Sequence, residues 1–181
     1  MPKLYRKSQL IACTVLLYLL SSTTLSADNE ILLMGADSKQ HAVSEYLGKG
    51  KWTVVNVWGV DCPPCREEMP ELVLLHDEYS STLLTILGIA IDFPGFGYAD
   101  ITEVKKFMEE FMIEFPVLLS DESISSKLGA GYLSGLPTTY IYTPSGELVG
   151  MQTGAVNRKV ILDFIKKRSK TADPEKKQIN N

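Results

Sequence analysis

The junction at residues 51–65 constrains this chain more than any other feature. An apolar, β-branched run, Lys51-Trp52-Thr53-Val54-Val55-Asn56-Val57-Trp58-Gly59, gives way within three residues to Cys62-Pro63-Pro64-Cys65. The run suits a buried strand. Pro63 suits the first turn of a helix, where a missing amide costs nothing. Residues 63–79 then read as a helix, with Met69, Leu72, Val73 and His76 on one face. A buried strand therefore feeds directly into a helix whose start carries two thiols.

The remaining elements follow the same alternation. Leu83 to Ile91 reads as a second buried strand. Asp100-Ile101-Thr102-Glu103 reads as a capping box opening a helix that buries Ile101, Val104, Phe107, Met108 and Phe111. Residues 115–119 form a short strand and 122–130 a short helix. Thr138–Tyr142 and Glu147–Gln152 flank Thr143-Pro144-Ser145-Gly146, a type I turn signature, and so form a hairpin. Val160, Ile161, Phe164 and Ile165 mark a last helix. Strands alternating with helices predict an α/β domain, a parallel sheet with an antiparallel edge and helices on both faces.

Composition narrows the class. The 181 residues carry 18 bases and 22 acids, a formal charge of −4, without the basic footprint of a nucleic-acid binder. Lys3, Arg6 and Lys7, the apolar run Leu10–Leu20 and a small-residue end at Ala27 read as a cleaved signal peptide, in preference to an uncleaved anchor or a lipid-modified Cys13. Removing residues 1–27 leaves a domain near −7, placed at 28–170, with a polar, disordered tail at 171–181. The expected location is exported and periplasmic, where disulfides form.

Of the three cysteines, only Cys62 and Cys65 then remain, to pair, bind metal or do chemistry. Three apart at a helix start, they are within reach of a disulfide that closes and opens with little backbone movement. Cys62 falls at the N-cap, where the helix dipole favours a thiolate; it is the expected exposed nucleophile, with Cys65 the buried resolving thiol. Pro64 has no amide to donate, and Asp61 adds a negative charge. Both leave the thiolate less stabilised, which points to a reducing couple. A structural disulfide would close too short a loop to stabilise much. Zinc needs about four ligands, and only His41 and His76 are there to join the pair, so no metal or cofactor is expected. His76 reads as a helix-face residue and His41 as a surface residue.

Residues Val55 to Leu72, with Cys-Pro-Pro-Cys followed by Arg66-Glu67-Glu68-Met69-Pro70, resemble the active-site segment of thioredoxin-fold proteins. The closer likeness is to the TlpA/ResA/CcmG group of exported thiol-disulfide oxidoreductases. Leu136-Pro137-Thr138-Thr139 matches that group's second motif, whose proline is cis, and the likeness runs from about Ile31 to Lys167. The resemblance implies a thioredoxin fold with a central mixed β-sheet flanked by helices on both faces. It implies that Cys62 attacks, Cys65 resolves, Glu68 adjusts their protonation and Pro137 sits against the disulfide. Pro70 matches a proline that kinks the active-site helix. The substrate-facing set would be Trp58, Asp61, Pro63, Pro64, Leu136 and Thr138.

The resemblance also implies a disulfide-containing protein substrate such as apocytochrome c and a membrane electron donor of the DsbD/CcdA kind; the expected state is a monomer. Two departures stand out. Asp61 replaces the group's usual Trp, and Asn56 occupies the place of the buried Asp of cytosolic thioredoxins. The aromatics of Phe93-Pro94-Gly95-Phe96-Gly97-Tyr98 either contact a partner or pack over the core. Other readings are a dithiol oxidase or isomerase and a copper-handling module. A peroxiredoxin fits poorly, because a helix-start Cys-x-x-Cys suits disulfide exchange.

Overall fold

The computed structural model describes residues 30–171. The expectations for residues 1–27, for Cys13 and for the tail beyond Thr171 lie outside them. The elements are β1 (Leu32–Gly35), β2 (Gln40–Ala42), β3 (Trp52–Trp58), α1 (Pro63–Tyr79), β4 (Leu84–Ala90), α2 (Ile101–Phe111), β5 (Val117–Leu119), α3 (Ile124–Lys127), β6 (Thr138–Tyr142), β7 (Leu148–Thr153) and α4 (Arg158–Thr171). Thr171, expected in the tail, closes α4.

These strands make one seven-stranded sheet in the order β2-β1-β5-β4-β3-β6-β7. β3, β4 and β5 are parallel, and β6 and β7 extend the sheet antiparallel on one side. On the other side, β1 joins β5 antiparallel and pairs with β2. The sheet is therefore mixed. The hairpin β1–β2 leaves no readable period in the sequence, because its strands are only four and three residues long and β1 ends on a glycine.

β3 is buried along its whole length, as its composition requires. Its side chains alternate between two cores. Val54 and Trp58 join Met69 of α1, Phe107 of α2 and Ile161 of α4. Val55 and Val57 join Val43, Ile124, Leu128 and Tyr140 on the opposite face. The layers are thus unequal, with three long helices on one face and short helical segments on the other. Alternation puts Asn56, between Val55 and Val57, on the side of α1.

The carboxyl end of β3 is secured by stacking. Trp58 lies on Phe107 with ring centroids 4.4 Å apart, and Phe107 on Phe111 at 4.5 Å. The Arg66 guanidinium sits over both phenyl rings, at 5.1 and 5.0 Å, and pairs with Glu110. α2 is thereby tied to the start of α1. Asp100 caps α2 by accepting from the amides of Thr102 and Glu103. The box is not closed from the other side, because the Glu103 carboxylate pairs with Lys106 at 2.8 Å.

Phe107→Ala removes the ring that both Trp58 and Arg66 rest on. It is expected to destabilise the domain by about 3–5 kcal/mol, read as a lower urea midpoint with an unchanged slope.

Candidate active site

Parallel α/β sheets present their functional ends where the strands finish, and here β3 finishes at the two cysteines. Cys62 is the N-cap of α1, in extended backbone, with Pro63 and Pro64 in the first turn. Cys62 and Cys65 form a disulfide with Cα atoms 5.3 Å apart. The Cys65 amide donates to Cys62 O at 3.1 Å, and the Cys62 side chain receives no capping hydrogen bond. Pro63 and Pro64 have no amide to offer the Cys62 side chain.

The expectation of an exposed Cys62 is corrected. Both cysteines are 0% exposed and belong to the core cluster beneath α1. Phe93 and Leu136 close over the strand end, and Gly59 is what lets them approach. A Cβ there would lie 2.7 Å from Phe93 Cβ and 3.3 Å from Leu136 Cδ1. Thr138 pairs with Val57 in the sheet register, which sets Leu136 and Pro137 level with the end of β3. The Leu136–Pro137 peptide is cis.

The substrate-facing set divides. Asp61 and Pro63 are exposed, and Pro64 and Leu136 are half-buried. Trp58 and Thr138 are corrected: neither reaches the surface. Trp58 is fully buried in the stack on Phe107, and the buried Thr138 hydroxyl donates to Gly135 O at 2.7 Å. Phe93 and Phe96 pack edge to face over the core at 6.1 Å, leaving Tyr98 exposed. Asp61 shares a small cleft with Asp92, Asp100 and Glu103. These acids are scattered in sequence, so only folding reveals the negative side wall beside Cys62.

Glu68 lies one helical turn past Cys65 and is 2% exposed. Its Oε1 accepts from Asn56 Nδ2 at 2.8 Å, and its Oε2 from the Val156 amide at 2.7 Å. Burial pushes its pKa up from 4.5 to about 7, against the opposing pull of the Val156 amide and Asn56. Asn56 also donates to Thr139 Oγ1 at 3.0 Å. Sequence reasoning missed Thr139 and Val156. The available signal was a lone amide in an apolar strand facing a lone acid on an apolar helix face.

Pro70 lies within α1 on its exposed side. His41 is no bare surface residue: its ring contacts Asp37 at 3.0 Å and the Tyr46 hydroxyl at 3.0 Å. His76 packs edge-on against Phe115 at 5.7 Å. Among the described residues, no group of three or more His, Cys, Asp and Glu converges in a way that could hold a metal ion. None of the helices among them is long and apolar enough to cross a membrane.

A helix-start dithiol beside a carboxyl that titrates near neutrality can exchange disulfides and move the accompanying proton. Known proteins carry similar features. A model described as the AhpC/TSA family matches residues 26–151. The thiol-disulfide oxidoreductase ResA of Geobacillus kaustophilus is 30% identical over 132 residues, 73% of this chain and 70% of that protein. The ResA of Halalkalibacterium halodurans is 29% identical over 117 residues, 65% of this chain and 62% of that protein. The crystal structure of a thiol:disulfide interchange protein of the thioredoxin family from Chlorobium tepidum TLS aligns with a TM-score of 0.63 and 27% identity. That alignment covers 77% of this chain and 92% of that one.

The raised Glu68 pKa makes stability depend on pH with a defined sign. Between pH 4.5 and about 7 the folded protein holds a proton that the unfolded chain releases. The contribution is complete below pH 4.5 and is lost as pH rises through 7, on the order of 3 kcal/mol in all. The lowered carboxylates Asp37, Asp100, Asp121 and Asp163 act with the opposite sign and below this window. Urea unfolding of the oxidised protein from pH 4 to 8 should show the decline, and Glu68→Gln should flatten it.

Proposed function

Since the chain belongs to the AhpC/TSA family and is a thiol-disulfide oxidoreductase of the ResA/TlpA/CcmG-like thioredoxin-fold group, we propose that it is an exported reductant of protein disulfides. The observation that carries this reading is the pairing of the Cys62–Cys65 disulfide with a buried Glu68 on the same helix face. The Cys62 thiolate attacks one sulfur of a substrate disulfide. The other substrate sulfur leaves as a thiolate and takes a proton from solvent. Cys65 gives its proton to the Glu68 carboxylate and attacks Cys62 Sγ, releasing the second substrate thiolate. Two electrons pass to the substrate, and the enzyme is left as the disulfide seen here.

The reducing direction is supported by what surrounds Cys62. The two residues after Cys62 are prolines with no amide to donate to it, and Asp61, Asp92, Asp100 and Glu103 line the adjoining cleft. Each feature makes the thiolate, and hence the reduced form, less favourable. Asp61 and Pro63 are exposed at the mouth, with Pro64 and Leu136 beside them, and would meet the substrate. Pro137, just before β6 and level with the end of β3, leaves the backbone before it available to the incoming chain. The substrate by resemblance is apocytochrome c before haem attachment. The oxidised pair would be re-reduced by a membrane protein of the DsbD/CcdA kind, and the reductant would act as a monomer after export on the leader at residues 1–27.

Trapping tests the assignment. Cys65→Ser should accumulate a mixed disulfide through Cys62 with a disulfide-bearing protein, and Cys62→Ser should accumulate none. Recovery of tightly bound copper in place of a protein partner would sink the reading. Glu68→Gln should slow resolution of a preformed mixed disulfide by about 10²-fold at pH 7, with the first attack left near its normal rate.

The electrostatic argument has its own test. Asp61→Asn should lower the Cys62 pKa and move the dithiol couple toward oxidising values. Thiol alkylation against pH and glutathione equilibration measure the two. An unchanged or raised pKa would remove Asp61 from the account, and an oxidising potential in the unaltered protein would favour an oxidase or isomerase.

A further inference from the structure

Asn56 is 1% exposed and uses only half of its amide. Nδ2 makes both of its hydrogen bonds, to Glu68 Oε1 and to Thr139 Oγ1. Oδ1 has no partner. A buried carbonyl oxygen left unpaired costs about 1–3 kcal/mol and calls for an explanation.

The explanation lies in the charge of Glu68. An ionised carboxylate only accepts, and it faces two donors, Asn56 Nδ2 and the Val156 amide. A protonated Glu68 carries a hydroxyl that must donate. Neither donor can receive it. The acceptor within reach is Asn56 Oδ1, brought round by a half-turn of the amide about its last bond. The two amide ends are nearly equal in size, so the turn displaces no neighbour.

We propose that Asn56 is a positioning residue that follows the proton on Glu68, presenting Nδ2 to the ionised carboxylate and Oδ1 to the protonated acid. Thr139 takes part because its hydroxyl both accepts and donates. It stands opposite Asn56 in the β3–β6 register, so its place is fixed by the sheet. With Glu68 ionised, Nδ2 donates to Oε1 and to Thr139 Oγ1, and the Val156 amide donates to Oε2. With Glu68 protonated, its hydroxyl and that of Thr139 both donate to Oδ1, and the Val156 amide still donates to Oε2. Each state holds three hydrogen bonds.

The inference rests on Glu68 as the acceptor of the Cys65 proton. It explains how a carboxyl sealed from water takes up and returns that proton without losing its partners. Aspartate at position 56 would not serve, since two adjacent carboxylates resist joint ionisation. Leucine would serve neither state. In the oxidised protein the disulfide cysteines do not titrate. The charged groups at the nearby α1–α4 contact are Glu71 and Arg158, which pair with each other at 3.4 Å. Asn56, Thr139 and Val156 carry no charge.

The test is an NMR titration of the oxidised full chain, with labelled Glu carboxyl carbons and Asn side-chain nitrogens. Both Asn56 Nδ2 proton resonances should move together, with the same midpoint as the Glu68 carboxyl carbon, near pH 7. In Glu68→Gln they should stay at their low-pH positions at every pH, because the glutamine amide donates to Oδ1 as the acid does. In Thr139→Val only one of the two should move, and Thr139→Ser should restore both. Asn56 resonances that stay still through the Glu68 titration, or that move with another midpoint, overturn the proposal. If Glu68→Gln slows resolution while Asn56 does not titrate, the switch alone fails. If Asn56 follows Glu68 but Glu68→Gln resolves mixed disulfides at the normal rate, the proton-acceptor reading fails and the switch stands.

Discussion

The structure is organised around one buried carboxylate and the three elements that hold it. Glu68 comes from α1, its partner Asn56 from β3, and its second partner, the Val156 amide, from the loop before α4. A charge taken out of water without such partners would cost several kcal/mol. Two donors offset part of that cost and leave the group balanced between its charged and neutral forms. The same contacts place α1 against the central strand, so the position of Cys62 and Cys65 depends on the bonds that tune Glu68. Fold and chemistry share these atoms.

The cysteine end is arranged on the opposite plan. Cys62 occupies a helix N-terminus, normally rich in donors, but the two following residues are prolines and its side chain accepts no capping bond. The helix dipole still favours a thiolate. The acids around the adjoining cleft oppose it. The balance can be adjusted at surface positions such as Asp61 without disturbing the core. In the proposed mechanism the proton acceptor is thus buried and fixed, while the nucleophile's potential is set from outside.

Much of this was legible in the chain because the informative patterns are local. The bounds of α1, the cap at Asp100, the turn at Thr143–Gly146 and the N-cap position of Cys62 each follow from a few adjacent residues. What was not legible depends on contacts between distant segments. Trp58 looked like part of a docking surface, but its alternation in β3 sends it inward onto Phe107, which lies in a helix that no local rule brings there. Cys62 looked exposed because an N-cap usually is. It lies instead in the core cluster, against which Phe93 and Leu136 pack where the missing side chain of Gly59 admits them. The hairpin β1–β2 was too short to show a period.

The polar residues within apolar segments carried more information than their neighbours. Asn56 interrupts a strand of valines and tryptophans, and Glu68 interrupts the apolar face of a helix. Each alone would be a cost to folding. Together they cancel most of that cost, which is why a chain of this fold can bury them. The residual cost is concentrated in one amide oxygen, Asn56 Oδ1, that is left without a partner. A fully satisfied network would hold Glu68 in a single protonation state. In the proposed mechanism an acid that takes and returns a proton needs partners able to serve either state, and the free oxygen of Asn56 is what makes a second arrangement available.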